Sequence, residues 1–69
     1  MFEVIIEGTL FLTRKTIDIV DSEQIYGWDI YNEDQNFLQH YDIDDEEDMI
    51  KQLKIDYESG KITLDGEYE

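Results

Sequence analysis

The chain has 69 residues, with no cysteine and no proline, and sets 19 acids against 5 lysines and arginines for a formal net charge of −14. A domain this small buries only about 60% of the surface its unfolded form exposes, and without cysteine neither a disulfide nor a thiolate metal site can reinforce its core. The sign of the charge opposes direct nucleic-acid binding, which needs a basic footprint. A hydrophobic content of 41% and an aromatic content of 13% exclude a disordered acidic tail.

The opening residues are not expected to be a signal peptide. They lack a basic n-region, and the longest uninterrupted apolar run in the chain is three residues. No stretch approaches a membrane span, so the expected location is the cytoplasm, with no membrane partner. Ten isoleucines and five tyrosines stand beside one arginine and no alanine, a bias toward AT-rich codons that suits a low-GC bacterium or a mobile element within one.

In chain order, residues 2–13 alternate. Phe2, Val4, Ile6, Leu10 and Leu12 share one face, with Glu3, Ile5, Glu7, Thr9, Phe11 and Thr13 on the other and Gly8 as a bend, which predicts one long, bent strand. Ile17 and Ile19 resume the alternation. Pairing Leu12 with Ile17 and Leu10 with Ile19 predicts a hairpin turning at Thr13–Thr16. Tyr26, Trp28 and Ile30, then Phe37, Tyr41 and Ile43, predict a second hairpin. Its loop lies within Asn32–Asn36, and Trp28 is buried beside Tyr41. The opposite face of that hairpin carries Ile25, Asp29, Tyr31, Leu38, His40 and Asp42, a mixed surface. Asp44 or Asp45 caps a helix whose first turn is filled with acids, where the helix dipole favours them. Met49, Ile50 and Leu53 form its buried stripe.

The end of that helix has two readings. It continues to Tyr57 with Gly60 as its cap, or it stops near Leu53 so that Ile55 and Tyr57 form a strand that turns at Glu58–Lys61 into Ile62 and Leu64. The second is preferred, because β-branched residues alternate there. The expected fold is therefore α+β, a small antiparallel β-sheet (β-β-β-β-α-β-β) with one short helix packed on one face, in a single domain over residues 1–69.

Three acidic clusters stand out: six carboxylates in the seven positions from Asp42 to Asp48, then Glu33 and Asp34, then Asp65, Glu67 and Glu69. The longest of them does not fit a calcium loop. The position needing glycine is Glu47 and the one needing a bidentate glutamate is Leu53. His40 is the single histidine and has no second soft ligand or nucleophilic neighbour in a motif, so a strand histidine beside Asp29 or Asp42 is the expected role. Neither metal nor cofactor is expected. Paired carboxylates can act as acid and base only in a pocket that separates their pKa values, and the chain has little volume for one, so an enzyme is disfavoured.

A net charge of magnitude about 2 to 8 keeps a small domain soluble. The excess here works against compaction, and its expected purpose is a basic protein partner. In size and charge the chain resembles the small acidic phage proteins that mimic DNA, with no motif in common. That resemblance implies an inhibitor, phage- or mobile-element-encoded, that occupies the nucleic-acid groove of a host nuclease, glycosylase, restriction enzyme or CRISPR effector. The expected contact residues are Asp42, Asp44, Asp45, Glu46, Glu47 and Asp48, seconded by Glu33 and Asp34. Tyr31 and His40 are expected to add non-ionic contacts. The alternatives are an immunity or antitoxin protein that neutralises a basic toxin, and an acidic accessory subunit without inhibitory role.

Overall fold

A computed structural model describes residues 1–64; the C-terminal acidic cluster of Asp65, Glu67 and Glu69 lies outside them. Strands β1 (Phe2–Ile6), β2 (Thr9–Val20), β3 (Glu23–Tyr31) and β4 (Phe37–Tyr41) form an antiparallel sheet in sequence order. Helix α1 (Glu46–Glu58) packs against one face. The expected α+β class, with a helix on a small antiparallel sheet, is what the chain adopts.

The strand boundaries differ from the sequence reading. Residues 2–13 are a hairpin, not one bent strand: Glu7 and Gly8, both at positive φ (51° and 79°), turn the chain so that Ile6 pairs with Thr9. Positive φ at both central residues is the turn whose twist matches the flanking strands. A two-residue turn also switches parity. Core residues are even-numbered in β1 (Val4, Ile6) and odd-numbered in β2 (Phe11, Thr13). Phe11 therefore sits at the centre of the core, while Leu10 and Leu12 lie on the uncovered face with Ile5. The hairpin expected at Thr13–Thr16 does not exist, and Leu12 pairs with Tyr31 instead of Ile17. β2 runs straight through Arg14 and Lys15 and turns at Asp21 and Ser22, again both at positive φ (51° and 67°).

The β3–β4 hairpin turns within Asn32–Asn36 as expected. Asn32 organises the loop: its side-chain oxygen accepts from the backbone N–H of Asp34 and of Asn36, and its amide donates to Leu64 O at 2.7 Å. Trp28 pairs with Tyr41, and both are buried. The register shifts between Ile30 and Tyr31, which opposes Phe37, and Leu38 is the extra residue of the bulge. The bulge reverses two assignments. Leu38 turns into the core, and Phe37 is exposed, with its ring edge-on to Tyr31 at 5.8 Å.

The helix follows the longer of its two readings. Asp45 is the N-cap and accepts from the Asp48 N–H. Met49, Leu53 and Asp56 share the buried face at helical spacing. At the other end Gly60 (φ 79°) closes a Schellman motif, Gly60 N–H to Tyr57 O and Lys61 N–H to Asp56 O. The strand expected at Ile55–Tyr57 and its hairpin partner at Ile62–Leu64 are not formed. Ile55 stays exposed, Ile62 is buried under the helix end, and Tyr57 meets Phe11 edge-on and bonds Thr9 Oγ1 at 2.9 Å. No helix among the described residues is long and apolar enough to cross a membrane.

The burial of Trp28, at 4% relative exposure, gives a direct optical check. Its emission is expected to be blue-shifted in the native state and to move red on unfolding; native emission at the wavelength of free tryptophan would contradict this packing.

Candidate functional site

The acidic run is placed by two elements. Asp42 and Asp44 lie on the segment leaving β4, and Asp45 to Asp48 form the cap and first turn of α1. Their surroundings are not alike. Lys15 on β2 reaches across to Asp44, donating to Oδ1 at 3.0 Å and to its backbone oxygen at 3.2 Å, while its ammonium lies over the rings of Tyr26 and Trp28. The Trp28 indole N–H also donates to Asp44 O, at 3.3 Å. Asp44 thus ties the helix entrance to the sheet. Asp42 Oδ1 accepts from His40 at 3.0 Å, and Asp45 spends an oxygen on the cap. Glu46, Glu47 and Asp48 are exposed, and none forms an ion pair among the described residues.

Glu33 and Asp34 do not join this group. They line a cavity of about 270 Å³ with Gly8, Thr9, Leu10, Asn32 and Leu64. That is the end of the molecule where Tyr57 meets Thr9, at the far end of the helix from Asp45. A helix of 13 residues separates the two groups by roughly 20 Å at 1.5 Å per residue. Tyr31 and His40 lie on the sheet face opposite the helix, where His40 meets the acidic run at Asp42 alone.

On that uncovered face the structure assembles a cluster the sequence only suggested. His40 pairs with Asp29 across β3 and β4, with Nδ1 2.6 Å from Asp29 Oδ1 and Nε2 3.0 Å from Asp42 Oδ1. Arg14 completes it, 3.6 Å from Asp29 Oδ2. Gly27 makes the position possible: a Cβ there would come within 2.6 Å of Tyr41 O and 2.9 Å of His40 Cε1. Both ring nitrogens can donate to carboxylates only when the imidazole is protonated. The Asp29 hydrogen bond is the main cause that holds the His40 pKa above its ordinary value, reinforced by Asp42 and opposed by partial burial.

The consequence for stability has a definite sign. A pKa raised on folding stabilises fully below the unfolded value of about 6.5, and the stabilisation fades as pH rises through the folded one. The urea midpoint of the wild type relative to His40→Gln is therefore expected to fall above about pH 6.5. A pH-independent difference between the two would show that the cluster does not favour the imidazolium.

A buried carboxyl group lies under the helix. Asp56, 4% exposed, accepts from the Tyr41 hydroxyl at 2.6 Å and from the Gln52 amide at 3.0 Å. Burial, and then this bond, push the Tyr41 pKa far above its usual range, so the phenol remains a donor. Reading Ile55 and Tyr57 as a strand misses this contact; the i+7 spacing of Asp56 from Met49 is the signal that could have found it.

Among the described residues most carboxylates form no ion pair, and the lysine–carboxylate pairs are exposed and individually worth about 0 to 1 kcal/mol. Repulsion is therefore expected to dominate. The midpoint of urea unfolding should rise as NaCl goes from low to physiological concentration, where the Debye length is about 8 Å; a flat or falling midpoint would mean that pairing outweighs repulsion.

No group of three or more His, Asp or Glu side chains converges to hold a metal ion among the described residues. Compared with known proteins, the chain matches no family model, no curated protein and no solved structure.

Proposed function

We propose that this protein binds a basic protein, and that the partner is a nucleic-acid-binding enzyme whose groove it occupies as an inhibitor in the host cytoplasm. The observation that supports this most is the outward, unpaired set Glu46, Glu47 and Asp48 on the first turn of a helix held rigidly to the sheet by Asp44, Lys15 and Trp28. Duplex DNA carries one charge per roughly 1.7 Å of axis, and carboxylates crowded on one fixed turn present negative charge at comparable density. Asp42 and Asp44 contribute less than their position in the run suggests, because each already has a hydrogen-bond partner within the chain, His40 and Lys15 respectively. Glu33 and Asp34, at the other end, could only meet a partner that spans the length of the helix. No catalytic role is assigned to any residue.

The test is affinity capture from a low-GC bacterial lysate with and without added duplex DNA. Retention of a nucleic-acid enzyme that DNA displaces supports the reading. A retained partner indifferent to DNA overturns groove occupancy and leaves an accessory or antitoxin role, in which acidity steers association without imitating nucleic acid.

A further inference from the structure

β2 and β3 outrun their neighbours. β1 pairs with β2 only as far as Thr13, and β4 pairs with β3 only from Trp28 onward. The segment from Thr16 to Val20, with its partner Glu23 to Gly27, therefore projects as a two-stranded arm, and the molecule measures 38 × 25 × 22 Å. Four exposed apolar side chains lie on it: Ile17 at 59%, Ile19 at 73%, Val20 at 50% and Ile25 at 41%. Natural sheets guard such an edge with lysine, proline or a bulge. From Thr16 to Val20, β2 has none of these, and its one charged side chain is the carboxylate of Asp18.

The two sides of this edge differ. Ile17 and Ile19 point to the helix side of the sheet, and Thr16, Asp18 and Val20 to the other. Asp18, Asp21 and Glu23 make residues 16–26 purely acidic, since the nearby bases are engaged, Arg14 with Asp29 and Lys15 with Asp44. A second copy of the chain would set these acids against one another, and like charges facing across strands destabilise pairing. A shallow depression of about 590 Å³ runs beside the same stretch, lined by Arg14 to Asp18 with Asp29 and His40.

We infer that the outer edge of β2, from Thr16 to Val20, accepts an extended basic segment of the partner as a fifth strand. The segment alternates apolar residues, packing on Ile17 and Ile19, with Lys or Arg meeting Asp18, Asp21 and Glu23. Main-chain hydrogen bonds supply affinity and the alternation supplies specificity. The inference rests on the reading of a basic partner above, and it names the anchoring surface where the helix turn supplies only charge.

The experiment titrates the isotope-labelled full chain with a blocked synthetic nonapeptide alternating Lys with Val and Ile, followed by amide NMR. Saturable shifts and slowed hydrogen exchange are expected at residues 14–20. Both should be lost when alternate peptide nitrogens are N-methylated, and binding should weaken at least tenfold in the I17T/I19T variant, whose substitutions are exposed and keep a β-branched residue. Shifts confined to Asp42–Asp48 and indifferent to N-methylation, no saturable shifts at all, or a concentration-dependent dimer through the arm would each overturn the inference. Its failure is separable from that of the function proposed above: a lysate partner that DNA displaces but that binds I17T/I19T unchanged sinks the edge alone.

Discussion

Tyr41→Phe is expected to lower the unfolding free energy by about 2 to 3 kcal/mol, the range for a hydrogen bond to a charged group whose loss leaves a buried acceptor unsatisfied. The hydroxyl it removes sits 2.6 Å from Asp56 Oδ2 in the helix–sheet interface, and Gln52 alone would remain on that carboxyl group. Few domains below 70–80 residues have more than about 3 to 5 kcal/mol to lose from a single core. One oxygen atom therefore decides a large share of this protein's stability. Urea denaturation followed by Trp28 fluorescence measures the effect. Adding Asp56→Asn to Tyr41→Phe is expected to regain part of the loss, because a neutral amide is less costly to strand than a carboxylate. A Tyr41→Phe protein within about 0.5 kcal/mol of wild type would show that the contact is energetically idle.

Replacing Glu46 and Glu47 with Gln and Asp48 with Asn is expected to weaken partner binding by about 2 to 5 kcal/mol, at least about thirtyfold, if these side chains are desolvated against Lys and Arg. The fold should persist. Asp45 keeps its cap and Asp44 keeps Lys15 and Trp28, and the helix-dipole contribution lost at the first turn, about 0.3 to 1 kcal/mol per acid, is offset by relief of repulsion among neighbours. Kinetics separates two mechanisms. Buried mimicry raises the dissociation rate, whereas rim steering lowers the association rate by an amount that shrinks with salt. Unchanged rates in a folded triple variant would remove the helix turn from the interface and leave the β2 edge as the contact surface. Asp44→Asn, tested alone, should cost structure before it costs binding, because its carboxylate is already engaged within the chain.

These two predictions fall on opposite sides of what the sequence can reveal. The acid excess, a cap at Asp44 or Asp45, the loop at Asn32–Asn36 and the burial of Trp28 beside Tyr41 follow from local rules: composition, capping chemistry, turn residues and period-2 alternation. Each needs only a residue and its near neighbours in sequence, and each survives in the folded chain.

What failed was register and length, which local rules do not contain. Glu7-Gly8 and Asp21-Ser22 are weaker turn signals than Asn-Gly, yet both adopt the left-handed pair of conformations. The reason is tertiary: only a two-residue turn after Ile6 puts Phe11 and Thr13 under the helix beside Ile30. The residues from Ile55 to Tyr57 alternate as a strand would, but the helix runs on to Glu58. That length lets Asp56 reach Tyr41 and Gln52, and Tyr57 reach Thr9 and Phe11. Charge was legible by itself because it adds up along the chain without regard to conformation. The pairing of particular charges, the burial of one acid and the exposure of the β2 arm depend on which strands end early, and only the assembled sheet decides that.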